Sequence, residues 1–189
     1  MEKTTNVLLV GVGGQGIISS SDVLADMALS SGFDVKKSEI HGMSQRGGVV
    51  YSYIRFGEKI YSPVPEDGEI DYLAAFEKME ALRWAGHLSK KGRMVINELE
   101  IAPVSLKTMN LEYPHVKTAL NGRNAVYVNG PEICKKLGSE KYISSVMTGA
   151  VSLFLGFSDE SFKKSFARII NKKNEENYEA YLQGKESVK

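Results

Sequence analysis

The sequence predicts an α/β domain built on a largely parallel sheet. Three observations carry that expectation. Short apolar runs alternate with helix-length segments along most of the chain, and strands alternating with helices give a parallel sheet covered by helices. The first apolar run, Val7-Leu8-Leu9-Val10, leads straight into Gly11-Val12-Gly13-Gly14-Gln15-Gly16 and then into a segment suited to a helix. That order of strand, glycine turn and helix gives the G-x-G-x-x-G spacing its meaning. The 189 residues are 42% apolar and 25% charged, which fits one globular domain with a sizeable core. No repeat, low-complexity block or long linker divides them, so residues 1–189 read as a single domain.

The elements follow in order. Residues 6–10 read as a buried strand and 17–30 as a helix ending near Gly32. Residues 33–40 form a second strand and 41–48 a polar loop. Residues 49–56 alternate, with Val49, Tyr51 and Tyr53 against Val50, Ser52 and Ile54, the period of a strand. Gly57-Glu58-Lys59 then predicts a turn into Ile60-Tyr61-Ser62, an antiparallel hairpin stopped by Pro63 and Pro65. Residues 70–76 are another buried strand and 77–87 a helix. Lys90-Lys91-Gly92 predicts a turn ahead of a strand at 93–97. Residues 100–123, with Pro103 and Pro114, read as irregular. A short strand spans 125–128, and Gly130-Pro131 opens a helix to Leu137. Helices at 142–155, 161–170 and 175–182 complete a single Rossmann-like three-layer domain, a mostly parallel sheet plus an antiparallel hairpin.

Composition excludes several roles. The net charge is +1, with Lys and Arg dispersed among acids, so neither a nucleic acid nor an acidic membrane is expected as partner. Cys134 is the single cysteine. It allows no intrachain disulfide and no iron–sulfur cluster held by this chain alone, which would need about four thiolates. His41, His87 and His115 stand far apart, so no metal site is expected. The first residues lack the apolar stretch of a signal peptide, and no apolar run reaches ~18 residues. The cytoplasm is the expected location.

Two loops carry the chemistry. Glycines allow a tight turn and close backbone approach, and the N–H groups opening a helix face an anion; the first loop therefore suggests a phosphate or carboxylate near residues 12–17. A nicotinamide dinucleotide would also need an acid ~20 residues on, for which Asp34 and Glu39 are candidates. The alternative is a turn and helix start with no ligand. The second loop, Ser38-Glu39-Ile40-His41-Gly42-Met43-Ser44-Gln45-Arg46-Gly47-Gly48, follows the second strand, which puts it at the carboxyl edge of the sheet beside the first loop. Arg46 offers a fork suited to phosphate or carboxylate, and His41 suits proton transfer near neutral pH. Equally, both side chains could be held internally and shape a protein contact. Trp84 reads as packing or a partner contact, Tyr51, Tyr53 and Tyr61 as an exposed aromatic docking patch or, in preference, ordinary strand residues, and Cys134 as a structural thiol.

These two loops together resemble the gamma-type subunit of the 2-oxoacid:ferredoxin oxidoreductases, and within it the beta subunit of the indolepyruvate-oxidising branch. The specific part is Glu39-Ile40-His41-Gly42-Met43-Ser44-Gln45-Arg46-Gly47-Gly48. The likeness extends through Tyr61-Ser62-Pro63, Asp71-Tyr72-Leu73-Ala74-Ala75-Phe76-Glu77, Glu80-Ala81-Leu82-Arg83, Val95-Ile96-Asn97, Gly149-Ala150 and Glu176-Asn177-Tyr178-Glu179-Ala180-Tyr181, essentially the whole chain. It departs mainly at residues 98–125 and at Ser144-Ser145. The resemblance implies the fold of the central domain of pyruvate:ferredoxin oxidoreductase. It implies an enzyme that oxidatively decarboxylates a 2-oxo acid, an aryl pyruvate such as indolepyruvate, to an acyl-CoA while reducing ferredoxin. Thiamine diphosphate, magnesium and 4Fe–4S clusters are then expected in a partner subunit, with none bound by this chain alone and coenzyme A as co-substrate. The chain agrees in lacking a Gly-Asp-Gly followed by Asn at thiamine spacing. By the same resemblance the two loops face the partner near the thiamine site or receive coenzyme A. Gly11, Gly13, Gly14, Gln15, Gly16, Ser44, Gln45, Gly47 and Gly48 are the candidate cofactor-binding positions, and His41 and Arg46 the candidate catalytic side chains. The competing reading is a Rossmann-type dinucleotide- or adenylate-binding protein.

Overall fold

The computed structural model describes residues 4–41 and 48–189. Strands β1 (Thr5–Val12), β2 (Asp34–His41), β3 (Val49–Gly57), β4 (Ile70–Ala75), β5 (Leu88–Asn97) and β6 (Ala125–Val128) form one sheet in the order β2-β3-β1-β4-β5-β6. β1, β4, β5 and β6 pair in parallel, whereas β3 is antiparallel to both β1 and β2. Successive strand residues point to opposite faces. Val7 and Leu9 accordingly enter one core and Leu8 and Val10 the other. The larger core lies under α1 (Ile17–Ser30), α6 (Ile143–Leu155), α7 (Asp159–Ile169) and α8 (Asn174–Glu186), and contains Met27, Val146, Phe162 and Tyr181. The smaller lies under α2 (Lys78–Trp84) and α4 (Val116–Ala119), with Ala81, Val116 and Leu120. The expected three layers are present.

Local chemistry sets the helix ends. Glu77 caps α2 by accepting from the Glu80 N–H at 3.0 Å. Asn129 caps α5 (Gly130–Lys136), with Pro131 in its first turn, where the missing N–H costs nothing. Ser158 caps α7, which carries Asp159 and Glu160 at its start and Arg168 in its last turn, the charge order that the helix dipole favours. Gly156 ends α6 in the left-handed conformation at φ 74°.

The antiparallel part differs from expectation. Ile60-Tyr61-Ser62 forms no strand, and the hairpin across Gly57-Glu58-Lys59 is absent. β3 has no edge left for it, because β1 takes one side and β2 the other over the same residues. The stretch is held by side chains instead. The Ile60 N–H donates to Asp34 Oδ2 at 2.8 Å, and Arg55 donates to the Ser62 and Val64 carbonyls. Nor is Lys90-Lys91-Gly92 a turn before a strand. It bulges within β5, where the register jumps from Ile70 opposite Leu88 to Tyr72 opposite Arg93. A side chain at Gly92 would come within 2.7 Å of the Ile70 carbonyl. Residues 100–123 hold α3 (Val104–Thr108) as well as α4.

Two helices touch backbone to backbone. A Cβ at Gly149 of α6 would lie 2.0 Å from the Tyr181 carbonyl, and one at Gly184 of α8 would lie 1.9 Å from the Val146 carbonyl. Around that crossing Tyr181 stacks on Phe162 at 4.0 Å, and the Ser152 hydroxyl hydrogen-bonds the Tyr181 hydroxyl at 2.9 Å.

Candidate functional site

The carboxyl ends of β1, β4, β5 and β6 share one edge of the sheet, and the first glycine loop sits on it. β1 runs out at Val12, and α1 starts after Gly16, whose φ of 77° requires the left-handed region. Gly16 also lies against α6, where a Cβ would meet that of Ser144 at 2.8 Å. The Ser20 hydroxyl donates to the Ser144 carbonyl at 3.1 Å and fixes the same contact. Gly14, at φ 101°, is exposed with open space where a side chain would be.

The second loop is delivered to the first by β3. Val49 pairs with Val12, and the Gly13 N–H donates to the Gly48 carbonyl at 2.9 Å. Gly48, the last residue of the second loop, therefore meets the first loop, and by a route other than the expected one. β2 does not lie beside β1; β3 stands between them and carries the chain back to the edge. Of the second-loop candidates, Gly48 is placed here, and the backbone of His41 ends β2 opposite Val50. Ser44, Gln45, Arg46, Gly47 and the side chain of His41 lie outside the described residues.

Gln15 points inward and is 8% exposed. Its Oε1 accepts from the Val12 N–H at 2.7 Å, and its Nε2 donates to the Phe76 carbonyl at 3.0 Å. Gly11 makes room for it, since a Cβ there would meet Gln15 Oε1 at 2.5 Å and Phe76 Cβ at 2.9 Å. Gly11 and Gly16 thus serve contacts inside the protein, and Val12 to Gly14 form the outward rim.

A buried carboxylate organises the neighbouring ground. Glu77 is 1% exposed. Besides capping α2, it accepts from the Ile101 N–H at 3.0 Å and from the Tyr113 hydroxyl, which itself accepts from the Met79 N–H at 2.8 Å. Burial, and then the Glu77 carboxylate, hold the Tyr113 phenol well above its ordinary range. Tyr113, with Lys78, Glu100, His115 and Lys117, lines a cleft of about 290 Å³. Its lysines are paired, Lys78 with Glu100 at 2.8 Å and Lys117 with Glu98. Sequence reasoning gave Glu77 no such role. Its signal was an acid closing a buried strand three residues before Glu80, a spacing suited to a helix start.

The acids that a dinucleotide would need are engaged elsewhere. Asp34 accepts from Ile60 N–H, the main reason its carboxyl lies below the usual range, and Glu39 pairs with Lys37. Both belong to β2, one strand removed from the glycine loop. Cys134 is 1% exposed, and burial pushes its thiol up to about 11. That is an inert structural thiol, unsuited to adenylation chemistry or cluster ligation. No group of three or more His, Cys, Asp and Glu side chains suited to a metal ion occurs among the described residues.

Comparison with known proteins decides the family. The pyruvate ferredoxin/flavodoxin oxidoreductase family description matches residues 6–187. The chain belongs to that family. Within it, the chain is similar to the indolepyruvate oxidoreductase subunit IorB of Thermococcus kodakarensis, 34% identical over 171 residues, covering 86% of this chain and 84% of the relative. The corresponding subunit of Methanothermobacter thermautotrophicus is 38% identical over 161 residues, covering 82% of each. The fold matches pyruvate oxidoreductase subunit PORC from Thermotoga maritima, with a TM-score of 0.77, 21% identity and coverage of 99% and 98%. It also matches a 2-oxoglutarate:ferredoxin oxidoreductase from Magnetococcus marinus, TM-score 0.79 and 20% identity, where all of this chain corresponds to 31% of the longer one. The family and fold expected from the sequence are both borne out, and the dinucleotide reading is not favoured. None of the helices among the described residues is long and apolar enough to cross a membrane.

Proposed function

We propose that this chain is the non-thiamine subunit of a cytoplasmic 2-oxoacid:ferredoxin oxidoreductase, a single domain over residues 1–189, with an aryl 2-oxo acid, indolepyruvate foremost, as substrate. The observation that carries the reading is the similarity to indolepyruvate oxidoreductase subunits along more than four fifths of both chains. A partner subunit then holds thiamine diphosphate, magnesium and the 4Fe–4S clusters, and electrons leave through it to ferredoxin. Thiamine diphosphate, when bound there, supplies the carbon–carbon cleavage chemistry.

This chain's part is to complete the site from outside. The rim of Val12, Gly13 and Gly14 presents backbone with little side-chain bulk, and the opening turn of α1 has neither a side-chain cap nor an acid. Such an end receives an anionic group, either the phosphates of coenzyme A or a carboxylate of the partner. Arg46 and His41 are assigned to the same edge, Arg46 to hold an anion and His41 to move a proton, with Ser44, Gln45, Gly47 and Gly48 shaping the loop around them.

The test is recovery of the tagged chain from its own cells. It should bring down a second subunit containing thiamine, iron and acid-labile sulfide. The complex should reduce a viologen dye with indolepyruvate and coenzyme A, and faster than with pyruvate or 2-oxoglutarate. Turnover by this chain alone with thiamine diphosphate and magnesium would overturn the subunit reading; a preference for pyruvate would overturn the aryl one.

A further inference from the structure

One backbone carbonyl at the carboxyl edge is gripped from two sides. Phe76 O accepts from Gln15 Nε2 at 3.0 Å and from Asn97 Nδ2 at 2.9 Å. A carbonyl oxygen has two lone pairs, and here both are used by side-chain amides. Gln15 closes the circuit by accepting from the Val12 N–H at 2.7 Å. The Phe76 N–H meanwhile donates to Val10 O at 2.8 Å. The ends of β1, β4 and β5 are thus tied together by two amide side chains, one of them inside the glycine loop. Gly11 and Gly130 leave the space these amides fill. A Cβ at Gly11 would lie 2.5 Å from Gln15 Oε1, and one at Gly130 would lie 2.4 Å from Asn97 Oδ1. Asn97 is fully buried, and its Oδ1 has no hydrogen-bond partner. A buried amide oxygen left without a bond is costly, so Asn97 is held by its donor.

We infer that Gln15 and Asn97 are positioning residues, which clamp Phe76 O to set the shape of the glycine turn that this enzyme class presents at its site. Gln15 then touches neither ligand nor partner. It fixes where the Val12, Gly13 and Gly14 backbone points, and Gly13 in turn carries Gly48 and the start of β3. No titratable side chain among the described residues hydrogen-bonds to Gln15. The carboxylate that follows Phe76 in sequence, Glu77, is occupied by Glu80 N–H, Ile101 N–H and the Tyr113 hydroxyl.

The role needs an amide that both donates and accepts, which yields a pH test. In Gln15→Met neither bond forms. In Gln15→Glu the neutral acid can donate to Phe76 O and accept from Val12 N–H, whereas the carboxylate only accepts. Burial and that hydrogen bond to the neutral form raise the introduced carboxyl's pKa, while the Val12 N–H and the start of α1 oppose the rise. Two readouts are taken relative to the unsubstituted protein at each pH: amide hydrogen exchange over residues 10–17, and turnover of the assembled oxidoreductase against coenzyme A concentration.

Gln15→Met should exchange about tenfold faster at residues 12–14 and turn over more slowly at every pH. Gln15→Glu should lie closer to the unsubstituted protein at pH ~5 than at pH ~9, where it approaches Gln15→Met. Asn97→Leu, which leaves the Gln15 bonds in place, should show the same exchange change to a smaller degree. If Gln15→Met raises the KM for coenzyme A while exchange at residues 12–14 stays unchanged, Gln15 is a ligand contact and the inference fails. It fails equally if Gln15→Glu departs from the unsubstituted protein by the same factor at both pH values, or if neither variant changes either readout. Should Gln15→Met not fold, the pH response of Gln15→Glu decides alone. The exchange arm requires no partner subunit, so it stands even if the oxidoreductase reading does not.

Discussion

At the scale of single residues, polar side chains at the carboxyl edge act mainly on the protein's own backbone. Tyr113 shows how far that goes. Its hydroxyl donates a hydrogen bond to Glu77 and accepts one from the Met79 N–H, so Tyr113→Phe strands a backbone donor and removes one of three groups facing the carboxylate. The expected cost is about 1–3 kcal/mol. The sign with pH follows from the raised phenol pKa. Below the unfolded value of ~10 folded and unfolded chains both hold the proton, and the contribution is complete. As pH rises past it, the unfolded chain ionises while the folded one does not, and stability is lost. Urea unfolding at pH ~8 and pH ~10.5 should therefore show a gap between parent and Tyr113→Phe that narrows at the higher pH. A gap independent of pH would mean that the hydroxyl is not coupled to folding. Cys134, pushed up to about 11, and Tyr181, pushed up to about 12, bend the parent's alkaline limb in the same direction.

At the scale of elements, the α6–α8 crossing is the tightest joint, and it sets two effects against each other. Gly184→Ala improves helix propensity by about 1 kcal/mol. The new methyl, however, would stand 1.9 Å from the Val146 carbonyl, and backbone cannot step aside as a flexible side chain can. Overpacking of this kind costs about 1–3 kcal/mol or more, so the clash decides the sign. Gly184→Ala and Gly149→Ala should each lower Tm by several degrees, at about 2–4 °C per kcal/mol for a chain of this size. Gly86→Ala, where nothing lies within 4 Å of the added atom, is the control and should change little. An unchanged Tm in both helix variants would show that the helices cross further apart. These glycines could not be read from the sequence, which contains 18 of them and does not tell close approach from turn. What was legible were the elements with local signals. The strand at Ala125–Val128 and the helix at Ile17–Ser30 fall where expected, because an apolar run and a glycine boundary define each. The neighbours of β3 were not legible. Its alternation of Tyr51 and Tyr53 with Ser52 and Ile54 fits any strand with two distinct faces, and which edges it fills depends on β1 and β2.

At the scale of the whole molecule, the candidate site was half legible. That the end of β2 shares an edge with the end of β1 followed from chain direction, and that Gly48 reaches Gly13 through β3 did not. That Gln15 turns inward did not, because a polar residue in a glycine loop reads as outward until its partner, Phe76 O, is placed by tertiary structure. The second loop is tested on the assembled enzyme. If Arg46 holds an anion of coenzyme A, Arg46→Ala should raise the requirement for coenzyme A ten- to a hundredfold, the loss of a charge-assisted bond worth roughly 1.5–3 kcal/mol. Subunit association by sedimentation should hold. Weaker association with unchanged kinetics would make the loop an interface instead. A His41→Ala, Arg46→Ala double variant normal in both measurements would remove both side chains from the site.

The α6–α8 joint also has a consequence during synthesis. α6 is made before α7 and α8, and Val146, Ala150 and the bare backbone at Gly149 wait for a cover that comes later in the chain. At about 5–20 residues per second, that interval lasts a few seconds, and a chain released from the ribosome within it presents a greasy, small-faced helix to any neighbour. Fragments cut short between α6 and α8 should therefore be the ones that chaperones hold once released, and they should aggregate through that helix while fragments that include α8 stay in solution.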